Sequence, residues 1–296
     1  FPWRQHRYMQ QLRPDVVVVH GLHFAVHVIQ LRLKLGPEVK IIVQHHAEKP
    51  GKGIRKWLQW IASHCINAYL FTAHEMGLEW VRAGNIKDPA KIYEVMEASS
   101  TFYPEDRALA RTKTQVSGET VFLWVGRLNE NKDPLTVVKA FLRFLRHCPG
   151  ARLYMIYHKA ELLPAIEVLL EADPLHREAV TLVGRVPHEE LPHWFNSADF
   201  MVAASYYEGS GVAVCEGMSC GCIPLLTDIL SFRKLTGYGQ CGRLYPPGNV
   251  EALLAVLLQT LTMDRGEERR KTLEQFRSQL SFEAIAAQIQ EVIASS

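Results

Sequence analysis

Two pairs of charged residues, each set beside glycine, carry the chemistry this sequence can offer. The first stretch is Gly126-Arg127-Leu128-Asn129-Glu130-Asn131-Lys132, between the apolar run Val121–Val125 and Pro134. Arg127 and Lys132 are near enough along it to converge on one anion. The second is Glu208-Gly209-Ser210-Gly211-Val212, after the apolar run Phe200-Met201-Val202-Ala203-Ala204, with Glu216 a little further on. A helix that opens at these glycines leaves backbone N–H groups unpaired at its N-terminus, and such an end suits a phosphate. Glu208 and Glu216 frame it with two carboxylates. Taken singly, the first stretch reads as a solvated loop with two unrelated cations, and the glycines as an ordinary turn. The two carboxylates taken singly read as a cap and a solvated helix position. Two strand ends of one sheet, one bringing positive charge and the other free N–H groups, fit a pyrophosphate.

The motif set also carries a family resemblance. Gly126-Arg127-Leu128-x-x-x-Lys132, then Glu208-Gly209-Ser210-Gly211 with Glu216 on the following helix, then Cys220-Gly221-Cys222-Ile223-Pro224, resembles the family 4 glycosyltransferases. These are retaining enzymes of the two-Rossmann-domain (GT-B) architecture. The resemblance spans 120–296 and, more weakly, 14–119. It implies that Arg127 and Lys132 neutralise the diphosphate of a nucleotide sugar. It places the N–H groups of Gly209, Ser210, Gly211 and Val212 against the phosphates and sugar. Glu208 then contacts the donor sugar, Glu216 accepts from the ribose hydroxyls, and the backbone near Gly184 and Arg185 meets the base. A histidine after an early strand faces the donor sugar in the family. Here that residue is His46, with His45 adjacent and the register between them open, and Glu48 is placed towards the acceptor. Three departures stand out. Tyr157-His158-Lys159 replaces a glycine-rich stretch, and Glu97-Ala98-Ser99-Ser100 replaces an Asn-Gly turn. The family's opening strand and its glycine-rich loop are also missing from the start of the chain.

Positioning such residues requires alternating strands and helices. In the first part, β-branched runs predict strands at 16–20, 40–44, 68–71 and 91–96, with helices at 25–34, 54–64 and 75–83 between them. Continuous apolar runs of this kind belong to strands buried on both faces, as in parallel sheets. Residues 97–118 are polar and read as a linker. From Thr120, strands at 121–125, 152–156, 180–183, 200–203, 223–226 and 242–245 alternate with helices at 134–147, 160–172, 188–196, 211–219 and 229–235. Three helical stretches finish the chain. Alternation of this kind predicts an α/β protein with doubly wound parallel sheets. The expected domains are an acceptor-side Rossmann-like domain over 1–108, lacking its first strands, a nucleotide-sugar-binding domain over 109–281, and a helix over 282–296 that returns to the first domain.

Composition narrows the partners. The chain has 296 residues, 33 Lys plus Arg against 31 Asp plus Glu, and a net charge of +2, which argues against nucleic acid as a partner. No apolar run is long enough to span a bilayer. The six cysteines lack the spacing of a disulfide framework or a zinc site and read as reduced packing residues. His23-x-x-x-His27 has helical metal-ligand spacing, but no third ligand accompanies it, so no metal is expected. Lys49, Lys52, Arg55 and Lys56 lead into Trp57, Leu58, Trp60 and Ile61. Segment 49–61 therefore reads either as a helix with an ordinarily packed Trp face or as a weak membrane-surface contact. The expectation is a retaining glycosyltransferase, without cofactor, moving a sugar from a nucleotide-diphosphate sugar to a glycan, a lipid-linked sugar or a small molecule. It is expected in the cytoplasm or peripheral to the inner face of the membrane. The alternative is a module that binds nucleotide sugar without transferring it. An epimerase or phosphorylase on the same scaffold is a related enzyme reading.

Overall fold

The computed structural model describes residues 3–296. The chain forms two compact units. The first comprises residues up to Glu97 together with Phe282–Ser296, and the second is Ala98–Ser281.

The first unit contains α1 (Trp3–Leu12), β1 (Val16–His20), α2 (Ala25–Leu35), β2 (Lys40–Gln44), α3 (Ile54–Ser63), β3 (Ala68–Phe71), α4 (His74–Arg82) and β4 (Ile92–Glu94). Its strands form one parallel sheet in the order β1-β2-β3-β4, with Val17 beside Ile41, Ile42 beside Ala68 and Tyr69 beside Ile92. A sequential order without reversal is one half of a doubly wound sheet. β3 is buried along its whole length, as its apolar run requires.

The second unit contains α5 (Arg107–Thr114), β5 (Thr120–Gly126), α6 (Pro134–Phe144), β6 (Ala151–Tyr157), α7 (Leu163–Glu171), α8 (Pro174–Ala179), β7 (Val180–Gly184), α9 (Leu191–Ser197), β8 (Phe200–Ala203), α10 (Val212–Ser219), β9 (Ile223–Thr227), α11 (Leu230–Leu235), β10 (Arg243–Tyr245), α12 (Val250–Gln259) and α13 (Arg265–Gln275). A π-turn over Phe276–Leu280 leads to α14 (Phe282–Ser295), which groups with the first unit and accepts a hydrogen bond from Lys40 Nζ at its Ile293 carbonyl, 2.5 Å. The sheet is parallel throughout, in the order β10-β9-β8-β5-β6-β7. The order reverses between β5 and β8. Loops leave that point in opposite directions and open the crevice in which such sheets bind ligands.

The core holds those two strands in register. Phe122 of β5 pairs with Phe200 of β8, and their rings stack at 5.2 Å. Phe141 and Phe144 of α6 meet Phe122 edge-on at 5.7 and 5.6 Å. All four are buried, and each contributes about 1.5–3 kcal/mol through removal from water. Asp133 starts α6, accepting from the Thr136 N–H at 3.2 Å, with Pro134 in the first turn where its missing N–H costs nothing. Val137, Val138, Phe141 and Phe144 then recur on the buried face. α10 approaches β8 closely enough that a Cβ at Gly217 would strike Met201 Sδ.

Two expectations are corrected. The linker read at 97–118 contains α5, whose Asp106 cap accepts from the Leu109 N–H at 2.9 Å. Its Arg107 and Arg111 reach the buried Asp199, which also accepts from the Val121 N–H at 2.9 Å. These bonds tie α5 to the second unit, so the boundary lies between Glu97 and Ala98 rather than after residue 108. No helix was expected directly after residue 172, yet α8 follows there, capped by Asp173, while α7 lies within the helix expected at 160–172.

Candidate active site

The loop after β5 is built by its own caps. Leu128 is buried, donates to the Lys159 carbonyl at 2.8 Å and accepts from Leu162 N at 2.9 Å. Asn129 Oδ1 accepts from Lys132 N at 3.0 Å, closing a short 3-10 turn over Glu130–Lys132. Asp133 then takes a left-handed conformation and caps α6. Gly126 ends the strand beside Tyr157, and Arg127 stands exposed, its side chain without a hydrogen-bond or ion-pair partner among the described residues.

The loop after β8 is laced to the first. Tyr206 N donates to the Asn131 carbonyl at 2.9 Å, and Asn131 Nδ2 donates to the Tyr207 carbonyl at 3.0 Å. Lys132 Nζ donates to Glu208 Oε1 in a partly buried ion pair, and Ser205 Oγ donates to the same oxygen at 2.6 Å. The negative charge of Asp133 beside the Tyr206 phenol pushes the tyrosine pKa up. Sequence reasoning named Lys132 and Glu208 but missed Asn131 and Ser205. Neither is charged; Asn131 reaches the Tyr207 carbonyl only because β5 and β8 are adjacent, while Ser205 is a local partner of Glu208 three residues on.

Beyond Glu208 the chain turns through Gly209, Ser210 and Gly211 into α10. Gly211 caps that helix in the left-handed region, φ 68°, with no side-chain cap. An added Cβ there would lie 2.9 Å from Phe232 Cε1, so glycine is required by both backbone and space. Among the described residues, the N–H groups of Gly209, Ser210, Gly211 and Val212 donate to no other protein group. They are free donors at a helix start, the arrangement that receives anions.

Glu216, one and a half turns into α10, is 7% exposed. Its Oε1 meets His188 Nε2 at 2.7 Å, and the His188 ring packs 5.1 Å from Phe102. His188 was not singled out in the sequence, although it lies four residues beyond Gly184 at the end of β7. Gly184 itself is left-handed, φ 79°, and closes β7 at the sheet edge, while Arg185 is exposed, its side chain forming no hydrogen bond or ion pair among the described residues. Burial pushes the thiols of Cys215, Cys220 and Cys241 up to about 12 and that of Cys222 higher still. These four buried cysteines stay protonated near neutral pH and pack rather than attack.

In the first unit, the two histidines after β2 separate. His45 is buried, stacks on Phe71 at 4.7 Å, and donates through Nε2 to the Glu48 carbonyl at 3.0 Å. His46 is partly exposed. Its Nδ1 bonds Glu97, and its Nε2 lies 3.0 Å from His20 Nδ1. A carboxylate only accepts, so His46 Nδ1 carries the proton on that side. Glu48 accepts from Leu22 N at 3.0 Å, His46 N at 2.7 Å and His23 Nδ1 at 3.0 Å. Burial opposes its charge, but the bonds from the His46 N–H and the His23 ring outweigh it and hold this carboxyl below its ordinary range. Glu48 thus organises the loop. His23 lies in a 3-10 turn and His27 in α2, so the two do not share a helix. Among the described residues, no three His, Cys, Asp or Glu side chains gather as metal ligands do.

Residues 106–279 match the family model described as glycosyl transferases group 1. A D-inositol 3-phosphate glycosyltransferase of Nocardia farcinica is 30% identical over 178 residues, 58% of this chain and 39% of the relative. The GDP-mannose:cellobiosyl-diphosphopolyprenol alpha-mannosyltransferase of Xanthomonas campestris is 24% identical over 231 residues, 76% of this chain and 59% of the relative. The match therefore spans less than two thirds of each of these relatives. Among solved structures, a glycosyltransferase from Rickettsia africae superposes with a TM-score of 0.79 at 15% identity, covering 98% of this chain and 79% of that one. HepE of Anabaena, crystallised with UDP and glucose, superposes with a TM-score of 0.75 at 13% identity, covering 99% and 81%. At such identities the likeness is one of fold, with two parallel α/β sheets in each case.

Proposed function

Because the chain belongs to the glycosyl transferases group 1 family, we propose that it moves a sugar from a nucleotide-diphosphate sugar to an acceptor, with retention at the anomeric carbon, as in the family 4 enzymes. The observation that carries this reading is the joined pair of loops at the switch point. Lys132 and Glu208 are bonded across it, with the Arg127 side chain unpaired on the same loop as Lys132 and four free N–H groups after Glu208. Breaking the bond from the anomeric carbon to the diphosphate leaves negative charge on the leaving group. Preorganised cations and N–H donors stabilise the charge that develops on the leaving group more than they stabilise the bound ground state. We assign Arg127, Lys132 and the Gly209–Val212 N–H groups to the diphosphate, Glu208 to the sugar, Glu216 to the ribose, and Gly184 with Arg185 to the base. His46, the accessible histidine after β2, is the first unit's proposed contribution to the sugar chemistry. The UDP and glucose recorded with HepE support a nucleotide-sugar donor of this kind. The acceptor is proposed to be a glycan, a lipid-linked sugar or a small molecule.

The test offers UDP- and GDP-sugars to the chain, measures binding by thermal shift, and follows donor hydrolysis and transfer by NMR of the anomeric proton. Binding with a retained anomeric configuration is the expected result. An inverted product removes the retaining assignment. Binding with no turnover on any acceptor leaves a sugar-nucleotide binding module.

A further inference from the structure

We propose that segment 49–61 of the first unit docks onto an anionic lipid bilayer surface. α3 is amphipathic in the wrong sense for a helix that only packs on its own unit. At about 100° per residue, Gln59, Ala62 and Ser63 share one face and Ile54, Trp57, Trp60 and Ile61 the opposite one. The small and polar face is the inner one. Ala62 and Ser63 are buried. Gln59 is pinned by three bonds, accepting from Gly51 N at 3.1 Å and Asn85 Nδ2 at 2.7 Å and donating to the Leu22 carbonyl at 3.2 Å. The large apolar face is turned out, leaving Ile54 73%, Trp57 58% and Trp60 43% exposed. A single exposed leucine is ordinary, but an isoleucine and two tryptophans within two turns form an interaction surface.

Charge identifies the occupant. Lys49, Lys52, Arg55 and Lys56 are all exposed, and none forms an ion pair among the described residues. No acidic residue interrupts the sequence between Glu48 and Glu75. Indole rings flanked by uncompensated cations match a bilayer interface, where the rings sit at headgroup level and the cations meet anionic lipid. A second copy of the chain fits less well. A twofold contact would set these cations against their own images with no acid to offset them. α3, at 10 residues, is too short to cross a bilayer, so the proposed contact is one of lying on the surface. The inference stands apart from the transfer reaction, and its test contains no sugar.

The experiment sediments the full chain with vesicles of phosphatidylglycerol and phosphatidylcholine in equal parts, and with phosphatidylcholine alone. The wild type is expected to pellet with the mixed vesicles, less so as salt rises, with its tryptophan emission shifted to the blue. Trp57→Ala with Trp60→Ala, and separately Lys52→Glu with Arg55→Glu, are expected to lower the partition constant roughly tenfold or more while leaving the melting temperature unchanged. If a variant melts early, quenching of the wild-type tryptophans by lipid brominated near the headgroup replaces it, and quenching is expected. No pelleting, pelleting that both variants retain, absence of quenching, or a concentration-dependent dimer in place of vesicle binding would each overturn the proposal.

Discussion

Lys132, in the turn after β5, donates to Glu208, in the loop after β8, across the point where the sheet order reverses. The two residues are 76 apart in sequence, yet the core pairing of Phe122 with Phe200 makes them neighbours. The lysine thus waits in place, held by a carboxylate proposed to serve the sugar. The Arg127 side chain has no such partner among the described residues, which leaves it free for the diphosphate role proposed above. Removal of one such cation costs roughly 3 kcal/mol of transition-state stabilisation, by analogy with an oxyanion donor. Lys132→Ala and Arg127→Ala are therefore each expected to lower kcat/KM by a factor of about 10²–10³. They should differ in the absence of donor. Arg127→Ala leaves the melting temperature unchanged, whereas Lys132→Ala strips Glu208 of its cation and lowers it. Steady-state kinetics and ligand-free melting curves check both, and a wild-type kcat/KM in either variant removes the donor-site assignment.

Gly211 offers a second handle on the same site. Alanine there meets a left-handed backbone, at a cost of about 1 kcal/mol, and the Phe232 ring. Relief of that contact moves the start of α10 and with it the N–H groups of Gly209–Val212. Gly211→Ala is expected to weaken binding of UDP, or of whichever nucleoside diphosphate binds, by at least about tenfold, measured by calorimetry. Unchanged affinity means that these N–H groups do not face the phosphates.

Much of this site is legible in the sequence, for reasons that can be stated residue by residue. Val121–Val125 and Phe200–Ala204 are apolar runs of the kind a strand buried on both faces carries, with Gly126 directly after the first and Gly209 five residues after the second. The strand ends, and the charged residues at them, could therefore be read directly. The Lys132–Glu208 bond could not, because it depends on which strands are adjacent, and local patterns do not encode strand order. His188 escaped for the same reason, since it reaches Glu216 only once β7 and α10 are placed. α5 escaped because Arg107–Thr114 is mostly polar, and its Asp106 cap precedes no strong apolar stripe. In the first unit, the sequence pointed to His46 but left its register against His45 open. Burial separates them, since the Phe71 ring covers His45 alone.

Glu48 sets a pH dependence of the first unit. Its folded pKa lies below the ordinary value of 4.5. Burial works against the charge, and the bonds from the His46 N–H and the His23 ring more than offset it. A depressed carboxylate contributes stability that is fully present above its unfolded pKa and is lost as pH falls through its folded value. The melting temperature is thus expected to be insensitive to Glu48 near neutrality in its pH slope, and to fall below about pH 4.5 partly on its account. Glu48→Gln should melt lower than wild type at pH 7, with the difference narrowing as pH drops. A difference that widens in acid contradicts the assignment.

Glu97, at the end of the first unit's leading segment, bonds His46 Nδ1. That bond assigns the ring its tautomer. With the proton on Nδ1, the neutral ring has Nε2 as acceptor, and His20 Nδ1 at 3.0 Å is its donor. On the role proposed for His46, Glu97 serves as its positioning residue, setting orientation and proton placement rather than touching substrate. Glu97→Gln keeps the shape but can present an N–H to Nδ1, which reverses the tautomer. It is expected to lower kcat by about 10-fold to 100-fold, on the scale of a lost second-shell partner, with little change in donor KM. Glu97→Asp, which restores the acceptor, should recover part of that loss. Nitrogen-15 chemical shifts of His46 supply the readout that a merely structural role would not move: Nδ1 protonated in the wild type and in Glu97→Asp, Nε2 protonated in Glu97→Gln. A common tautomer in all three, or equal kcat in wild type and Glu97→Gln, rules the positioning role out.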